Sequence, residues 1–285
     1  MDFAQHRITT SDGPFVYARD YAGAGGRRPV VCLHGLTRSS ADFDEVAPRI
    51  AALGRRVVAI DARGRGKSDN DPDPTRYRPD IYVADVLRVL DALGIPRAVF
   101  LGTSMGGIMT MLAATIAPDR IAAAILNDIG TEVDPRGLAR IASYVGKAGP
   151  FASWGEMTDA VRNTQSVAFP GRDDSFWRKF THRVGRERDD GRIEFAYDPA
   201  IANAFAAAPP GPPPDMAPLF AALADTPVLL VRGALSDLLS AQTVTAMKHA
   251  KPDMKFAEVP NVGHAPTLEE PEAWDAIAAF LAEVE

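Results

Sequence analysis

The sequence has few of the features that mark secreted, membrane-spanning or nucleic-acid-binding proteins. Its 285 residues include a single cysteine, Cys32, which excludes an intrachain disulfide framework. No apolar run approaches the ~20 residues of a membrane span, and the N-terminal residues lack the apolar segment of a secretory signal. The formal net charge of −6 gives no support to a nucleic-acid partner. These absences predict a cytoplasmic protein without membrane or nucleic-acid partners.

Metal and cofactor motifs are also lacking. There is no cysteine–histidine cluster at ligand spacing and no dinucleotide-binding fingerprint. The glycines of the loop 61–68 (DARGRGKS) suggest a phosphate cradle, but their spacing differs from G-x-x-x-x-G-K-[ST] and no clear helix follows. We interpret this loop as a structural turn, and we expect no metal and no cofactor.

Short apolar runs alternate with helical patterns along most of the chain. The runs are continuous, which is typical of strands covered on both faces. They are Val30–Leu33, Val57–Ile60, Ala98–Leu101, Ala122–Leu126, Val228–Val231 and Phe256–Val259. The alternation predicts an α/β fold with a doubly wound, mostly parallel sheet. Ligands of such sheets bind at the carboxyl ends of the strands, so functional residues are expected just after these runs.

The alternation breaks after Asp128. Residues 131–215 are rich in aromatic side chains, show helix-like segments at 136–147, 154–166 and 175–188, and end in a proline-rich connector at 209–214. We interpret 131–215 as a helical cap inserted into a core domain formed by 1–130 and 216–285. Its aromatic residues either line an apolar pocket or form the cap's own core, and the second role is expected for most of them. They include Phe151, Trp154, Phe169, Phe176, Trp177 and Phe205.

The sequence Gly102-Thr103-Ser104-Met105-Gly106-Gly107 lies between an apolar run and a helical pattern. A G-x-S-x-G string at a strand–turn–helix junction is typical of a nucleophile elbow. Glycines on either side of the serine let the strand and the helix approach closely. Ser104 is therefore the predicted nucleophile, placed at a helix N-terminus that favours developing negative charge.

A serine hydroxyl needs a base, and the base needs a carboxylate that orients it. Of the five histidines, only His264 lies just beyond the last strand run and before the C-terminal helical pattern. Asp237 follows the run Val228–Val231 and is the preferred carboxylate. Asp128 also follows a strand run and remains the alternative, although it is equally suited to capping the next turn.

Acyl transfer also requires donors for an oxyanion. The backbone N–H groups of Met105, directly after the serine, and of Leu36, in the loop after the first run, are the predicted donors. For His34, in the same loop, we predict a structural role in binding the loop backbone. Cys32 lies within an apolar run, where a buried and unreactive thiol is expected.

Together these motifs resemble those of the α/β-hydrolase superfamily. The resemblance rests on His34-Gly35, the loop 61–68, the elbow 102–107, Gly233 with Asp237, and Gly263-His264, and it covers the chain outside the cap. It implies the order Ser…Asp…His. A serine nucleophile argues against the haloalkane dehalogenase and epoxide hydrolase branches, which use aspartate.

The resemblance and the residues predict a serine hydrolase that cleaves a small carboxylic ester or lactone through an acyl-enzyme. A C–C bond hydrolase acting on a β-diketone-like substrate is the first alternative, disfavoured because no tryptophan follows His264. A cofactor-free haloperoxidase-like or lyase-like enzyme is a second. A ligand-binding receptor that keeps the fold without the chemistry is the most remote.

Overall fold

The computed structural model describes residues 2–203 and 214–285. Its strands are β1 (Ala4–Thr9), β2 (Phe15–Tyr21), β3 (Val30–Leu33), β4 (Val57–Asp61), β5 (Ala98–Thr103), β6 (Ile121–Asn127), β7 (Gly185–Glu187), β8 (Ile193–Phe195), β9 (Val228–Gly233) and β10 (Lys255–Val259). Eight of them form one sheet in the order β1-β2-β4-β3-β5-β6-β9-β10. The pairs from β4 to β10 are parallel, whereas β1–β2 and β2–β4 are antiparallel. The predicted α/β fold with a mostly parallel sheet is confirmed.

The α-helices that the structure describes complete the alternation. They are α1 (Val46–Ala52), α2 (Pro79–Ala92), α3 (Met105–Ile116), α4 (Pro135–Tyr144), α5 (Trp154–Gln165), α6 (Asp174–Val184), α7 (Ala217–Ala221), α8 (Ala241–Ala250) and α9 (Pro271–Glu283). Within the described ranges, none of these helices has the length and apolarity needed to cross a bilayer.

Alternate side chains of the central strands feed two separate apolar cores, one on each face of the sheet. In β3, Val31 and Leu33 join the first core, and Val30 and Cys32 join the second. This division explains why the strands are continuous apolar runs, since both faces are covered by helices. Burial raises the pKa of the Cys32 thiol, so the predicted unreactive character of this cysteine follows from its position.

The described part of the predicted cap, residues 131–203 together with 214 and 215, holds α4, α5, α6 and the hairpin β7–β8. The hairpin corrects the helix-like segment expected at 175–188, because α6 ends at Val184 and β7 begins at Gly185. Four aromatic rings of the segment pack on one another; they belong to Phe169, Phe176, Trp177 and Phe180. Phe205 and the prolines at 209, 210, 212 and 213 of the predicted connector lie outside the described residues. The domain boundaries stay a prediction.

The loop 61–68 is held in place by its own side chains, as a structural turn would be. Asp61 accepts hydrogen bonds from the backbone amides of Ser40 and Lys67. Arg63, which is 1% exposed, donates to Asp85 at 2.6 and 2.7 Å and to Asp71 at 2.6 Å. The cation thereby satisfies two carboxylates that are themselves buried.

We expect Arg63→Met to destabilise the protein strongly. The substitution leaves the Asp71 and Asp85 carboxylates buried without their main partner, and breaking such a pair costs about 3–5 kcal/mol of the free energy of unfolding. Arg76 lies 3.6 Å from Asp71 and compensates in part for the lost charge. We therefore expect a loss near the lower end of this range. Urea denaturation measures the effect.

Arg78→Met is the matched control, because Arg78 pairs with Asp80 on an exposed surface. Its unfolding midpoint should stay close to that of the unsubstituted protein. Equal midpoints for the two variants would contradict the stabilising role of Arg63.

Candidate active site

Ser104 occupies the tight turn between β5 and α3. Its backbone has φ 52° and ψ −113°, a strained conformation for a residue with a side chain. A Cβ at Gly102 would collide with the backbone of Gly106, and a Cβ at Gly106 would collide with the backbone of Leu33. The two glycines therefore allow the close approach of strand and helix that forces the serine into this conformation.

His264 joins the serine to a buried carboxylate. Its Nε2 lies 2.9 Å from Ser104 Oγ, and its Nδ1 lies 2.7 Å from Oδ2 of Asp128. The Asp128 side chain is fully buried, and that of His264 is 9% exposed. The structure thus brings together Ser104 and His264, the predicted nucleophile and base, although their catalytic roles remain predictions.

Asp237, the carboxylate preferred in the sequence analysis, forms no hydrogen bond with His264. The carboxylate that contacts His264 is Asp128, which corrects that preference. Asp237 instead forms a bidentate pair with Arg140 of α4, with distances of 2.5 and 2.8 Å. Burial alone would raise the pKa of Asp237, but the hydrogen bonds from Arg140 outweigh it and lower that pKa. Asp237 therefore serves as the partner of an arginine from the cap.

Strand order explains why Asp128 takes the position. β6 lies between β5 and β9, so the first residue after β6 faces the turn that holds Ser104. The end of β9 and the loop after it supply donors to that residue: the Gly233 amide donates to Asp128 Oδ1 at 2.9 Å, and Ser236 Oγ donates to Oδ2 at 2.6 Å. Sequence reasoning missed Ser236, for which no sequence motif gave a signal.

A second set of hydrogen bonds fixes the loop that carries His264. The Asn127 side-chain amide donates to the Pro266 carbonyl at 2.9 Å and to Thr103 Oγ1 at 3.0 Å. The Gly263 amide donates to the Ala168 carbonyl of the cap segment at 2.7 Å. The loop of His264 is thereby held by Asn127 at the end of β6 and by Ala168 of the cap segment.

Two backbone amides beside the serine are free to act as donors. Within residues 2–203 and 214–285, no group accepts a hydrogen bond from the amides of Leu36 or Met105, the two predicted oxyanion donors. The Leu36 carbonyl accepts a hydrogen bond from Arg65 Nε at 2.9 Å, which fixes the orientation of its loop. Arg65 is itself buried and also donates to the hydroxyl of Tyr82 at 2.7 Å.

His34 has the structural position that the sequence predicted. Its Nδ1 donates to the Gly35 carbonyl at 2.6 Å, and its Nε2 accepts from the Ala62 amide at 3.0 Å. These partners fix one neutral tautomer, and burial lowers the pKa of the ring, which keeps it uncharged. His34 thus ties the loop of Leu36 to the loop after β4.

A cavity of about 100 Å³ opens over the serine. Its floor includes Leu36, Ser104 and His264. Its roof comes from the cap segment and includes Ile141, Tyr144, Gln165, Phe169, Phe180 and Arg183. Phe169 and Phe180 therefore both line the cavity and belong to the aromatic cluster. Across the described residues, no group of three or more His, Cys, Asp or Glu side chains is placed to hold a metal ion.

Comparison with known proteins agrees with this geometry. A family model described as the alpha/beta hydrolase fold matches residues 28–271. A solved α/β hydrolase from Novosphingobium aromaticivorans is 43% identical, with a TM-score of 0.93 over 99% of each chain. The 3-hydroxybutyrate-oligomer hydrolase of Cupriavidus necator is 35% identical over 86% of this chain and 85% of that protein.

A more distant relative also spans nearly the whole chain. A putative 2-succinyl-6-hydroxy-2,4-cyclohexadiene-1-carboxylate synthase of Bacillus subtilis is 26% identical over 97% of this chain and 98% of that protein. The family model matches most of the length of this chain, and the serine, histidine and buried aspartate lie at the carboxyl ends of its mostly parallel sheet. The chain therefore belongs to the alpha/beta hydrolase fold family.

Proposed function

We propose that this hydrolase cleaves a small carboxylic ester or lactone through an acyl-enzyme. The observation that carries the proposal is the continuous hydrogen-bonded series from Ser104 through His264 to Asp128, set beneath a cavity. This series activates a hydroxyl group for attack on a carbonyl carbon. We also propose a cytoplasmic location, as the sequence predicts.

The first half of the reaction forms the acyl-enzyme. Ser104 Oγ bonds to the ester carbonyl carbon while its proton passes to His264 Nε2. Asp128 stabilises the imidazolium through Nδ1–H. The free amides of Leu36 and Met105 receive the oxyanion of the tetrahedral intermediate. Collapse of that intermediate breaks the carbon–oxygen bond of the ester, and the proton on His264 leaves with the alcohol.

The second half releases the acid. His264 takes a proton from water, the hydroxide attacks the acyl carbon, and the serine leaves with the proton held by the imidazole. For a lactone the same steps open the ring, because alcohol and acid belong to one molecule. The chemistry consumes one water and needs no electron acceptor.

Among the relatives, the printed name of the Cupriavidus necator protein supports an ester substrate. That protein is named for hydrolysis of 3-hydroxybutyrate oligomers, and oligomers of a hydroxy acid are joined by ester bonds. At 35% identity over most of both chains, similar bond chemistry is the simplest proposal for this site.

We expect wild-type protein to hydrolyse short p-nitrophenyl esters or lactones, and Ser104→Ala to abolish this turnover. Loss of the nucleophile in a serine triad typically lowers kcat by about 10⁶-fold. A fluorophosphonate probe should label wild type and leave Ser104→Ala unlabelled, with circular dichroism as the folding control. Turnover of β-diketones without turnover of any ester would contradict the proposal.

Asp128→Asn should lower kcat for ester hydrolysis by about 10⁴-fold, because an amide side chain stabilises the wrong tautomer of His264 and cannot offset its charge. Asp237→Asn is the matched comparison and should leave kcat nearly unchanged, since Asp237 contacts Arg140. Steady-state kinetics on one p-nitrophenyl ester decides between them. A large loss of kcat in Asp237→Asn alone would contradict this assignment and support Asp237 as the carboxylate that orients His264.

A further inference from the structure

A second, smaller cavity adjoins the one over Ser104. Its volume is about 30 Å³. The two cavities meet at the five residues that line both of them, which are Thr37, Arg38, Tyr144, Gln165 and Phe180. Ser104 lines the first cavity and not the second. A chain that starts at Ser104 and crosses this boundary therefore enters the second cavity.

The walls that belong to the second cavity alone are largely apolar. They come from α5, α6, β8 and the residues just after β8, and they comprise Val161, Thr164, Val184, Phe195 and Tyr197. The two hydroxyl groups among them already have partners in the protein. Thr164 Oγ1 donates to the Val161 carbonyl at 3.1 Å, and the Tyr197 hydroxyl accepts from the Gly146 amide at 2.9 Å. The second cavity thus offers a ligand mainly hydrocarbon surface.

Both arginines that line the first cavity are paired with carboxylates. Arg38 donates through Nε and Nη2 to both oxygens of Asp42, at 2.6 to 2.9 Å. Arg183 pairs with Glu269 at 2.5 Å. A charged ligand group would lose its hydration here without gaining an unpaired partner, so the two cavities favour an uncharged chain.

Gln165 can move aside from the boundary without breaking a hydrogen bond. It is half-buried, and within the described residues no protein group forms a hydrogen bond with its side-chain amide. Arg38 and Phe180 are held more firmly, since the guanidinium lies 4.1 Å from the centre of the ring and is also bound by Asp42. A passage between the cavities therefore opens most easily beside Gln165.

We propose that the substrate is an uncharged ester or lactone that carries a short hydrocarbon chain, and that the end of this chain binds in the second cavity. The inference rests on the proposed hydrolysis, since it assigns the part of the same substrate that does not react. One water needs about 10–15 Å³, so a cavity of about 30 Å³ has room for an end group of about two carbon atoms. Each methylene that is buried there should raise kcat/KM by about 4- to 10-fold.

The test is a chain-length series with substitutions of Val161, which is 2% exposed and lines the second cavity. p-Nitrophenyl esters from acetate to octanoate vary the acyl chain, and acetate esters from ethyl to octyl vary the alcohol. In wild type, kcat/KM should rise with length to an optimum in at least one series. Val161→Phe fills the cavity and should shorten that optimum by about two carbons. Val161→Ala enlarges the cavity and should lengthen it by about one.

Val167→Phe is the matched control, because Val167 of the cap segment is 57% exposed and lines neither cavity. Its profile should match that of wild type. Circular dichroism checks that each variant is folded, and Val161→Ala keeps the test decisive if overpacking by Val161→Phe prevents folding. An optimum that is unchanged in the folded Val161 variants would overturn the inference and leave ester hydrolysis intact.

A second comparison tests the charge of the chain. In the series that shows the optimum, a chain of the same length that ends in a carboxylate should react at least about 10-fold more slowly. An equal or faster reaction of the carboxylate would contradict an uncharged substrate.

Binding of the same esters to Ser104→Ala, measured by calorimetry, distinguishes the inference from the proposed function. If affinity rises with chain length and Val161→Phe in the same background removes the rise, the second cavity binds the chain even where wild type turns over no ester. If affinity and turnover are both independent of chain length, the inference is wrong and the proposed function stands.

Discussion

The hydrogen bond between Asp128 and His264 is the contact on which the proposed chemistry depends. Asp128 is fully buried, so its negative charge has to be matched by nearby donors. The structure supplies three: the imidazole of His264, the amide of Gly233 and the hydroxyl of Ser236. They come from the end of β9, from the loop after it and from the loop after β10, so the sheet order β6-β9-β10 also orients the imidazole toward Ser104. The Asp128 carboxylate thus connects the packing of the sheet with the orientation of the imidazole.

Several features of this arrangement follow from the sequence by simple physical rules. The six continuous apolar runs predicted β3, β4, β5, β6, β9 and β10, because strands covered on both faces need no polar alternation. The elbow around Ser104 was recognisable because two backbone contacts there exclude any Cβ. His264 was identifiable from its place after the last strand of the sheet.

Other features could not be predicted from the sequence, each for a physical reason. Asp128 and Asp237 both follow strands and both stand between the serine and the histidine, so chain order does not separate them. Contacts between distant residues separate them: His264 binds Asp128, 136 positions away, and Arg140 pairs with Asp237, 97 positions away. The hairpin β1–β2 was missed because its first strand is largely exposed and carries few apolar residues. The hairpin β7–β8 was missed because its strands have three residues each and are rich in charge.

The cap segment packs through an aromatic cluster, part of which lines the cavity over Ser104. Helix α6 contributes Trp177 and Phe180 to the aromatic cluster, and one turn further on it carries Arg183. Phe180 and Arg183 both line the cavity, so the packing that orients α6 also shapes the cavity wall.

The residues that follow β8 are joined to the loop 61–68. Arg65 forms a β-bridge with Tyr197, the Gly66 amide donates to the Ala196 carbonyl at 2.7 Å, and the Asp198 amide donates to the Gly64 carbonyl at 2.8 Å. Because Arg65 also donates to the Leu36 carbonyl, these contacts link the cap segment to the loop of Leu36, a proposed oxyanion donor. A cap segment taken from a homologue to alter the substrate range would therefore have to preserve positions 196–198. Otherwise the new segment would disturb the loop of Leu36, where we propose that the oxyanion binds.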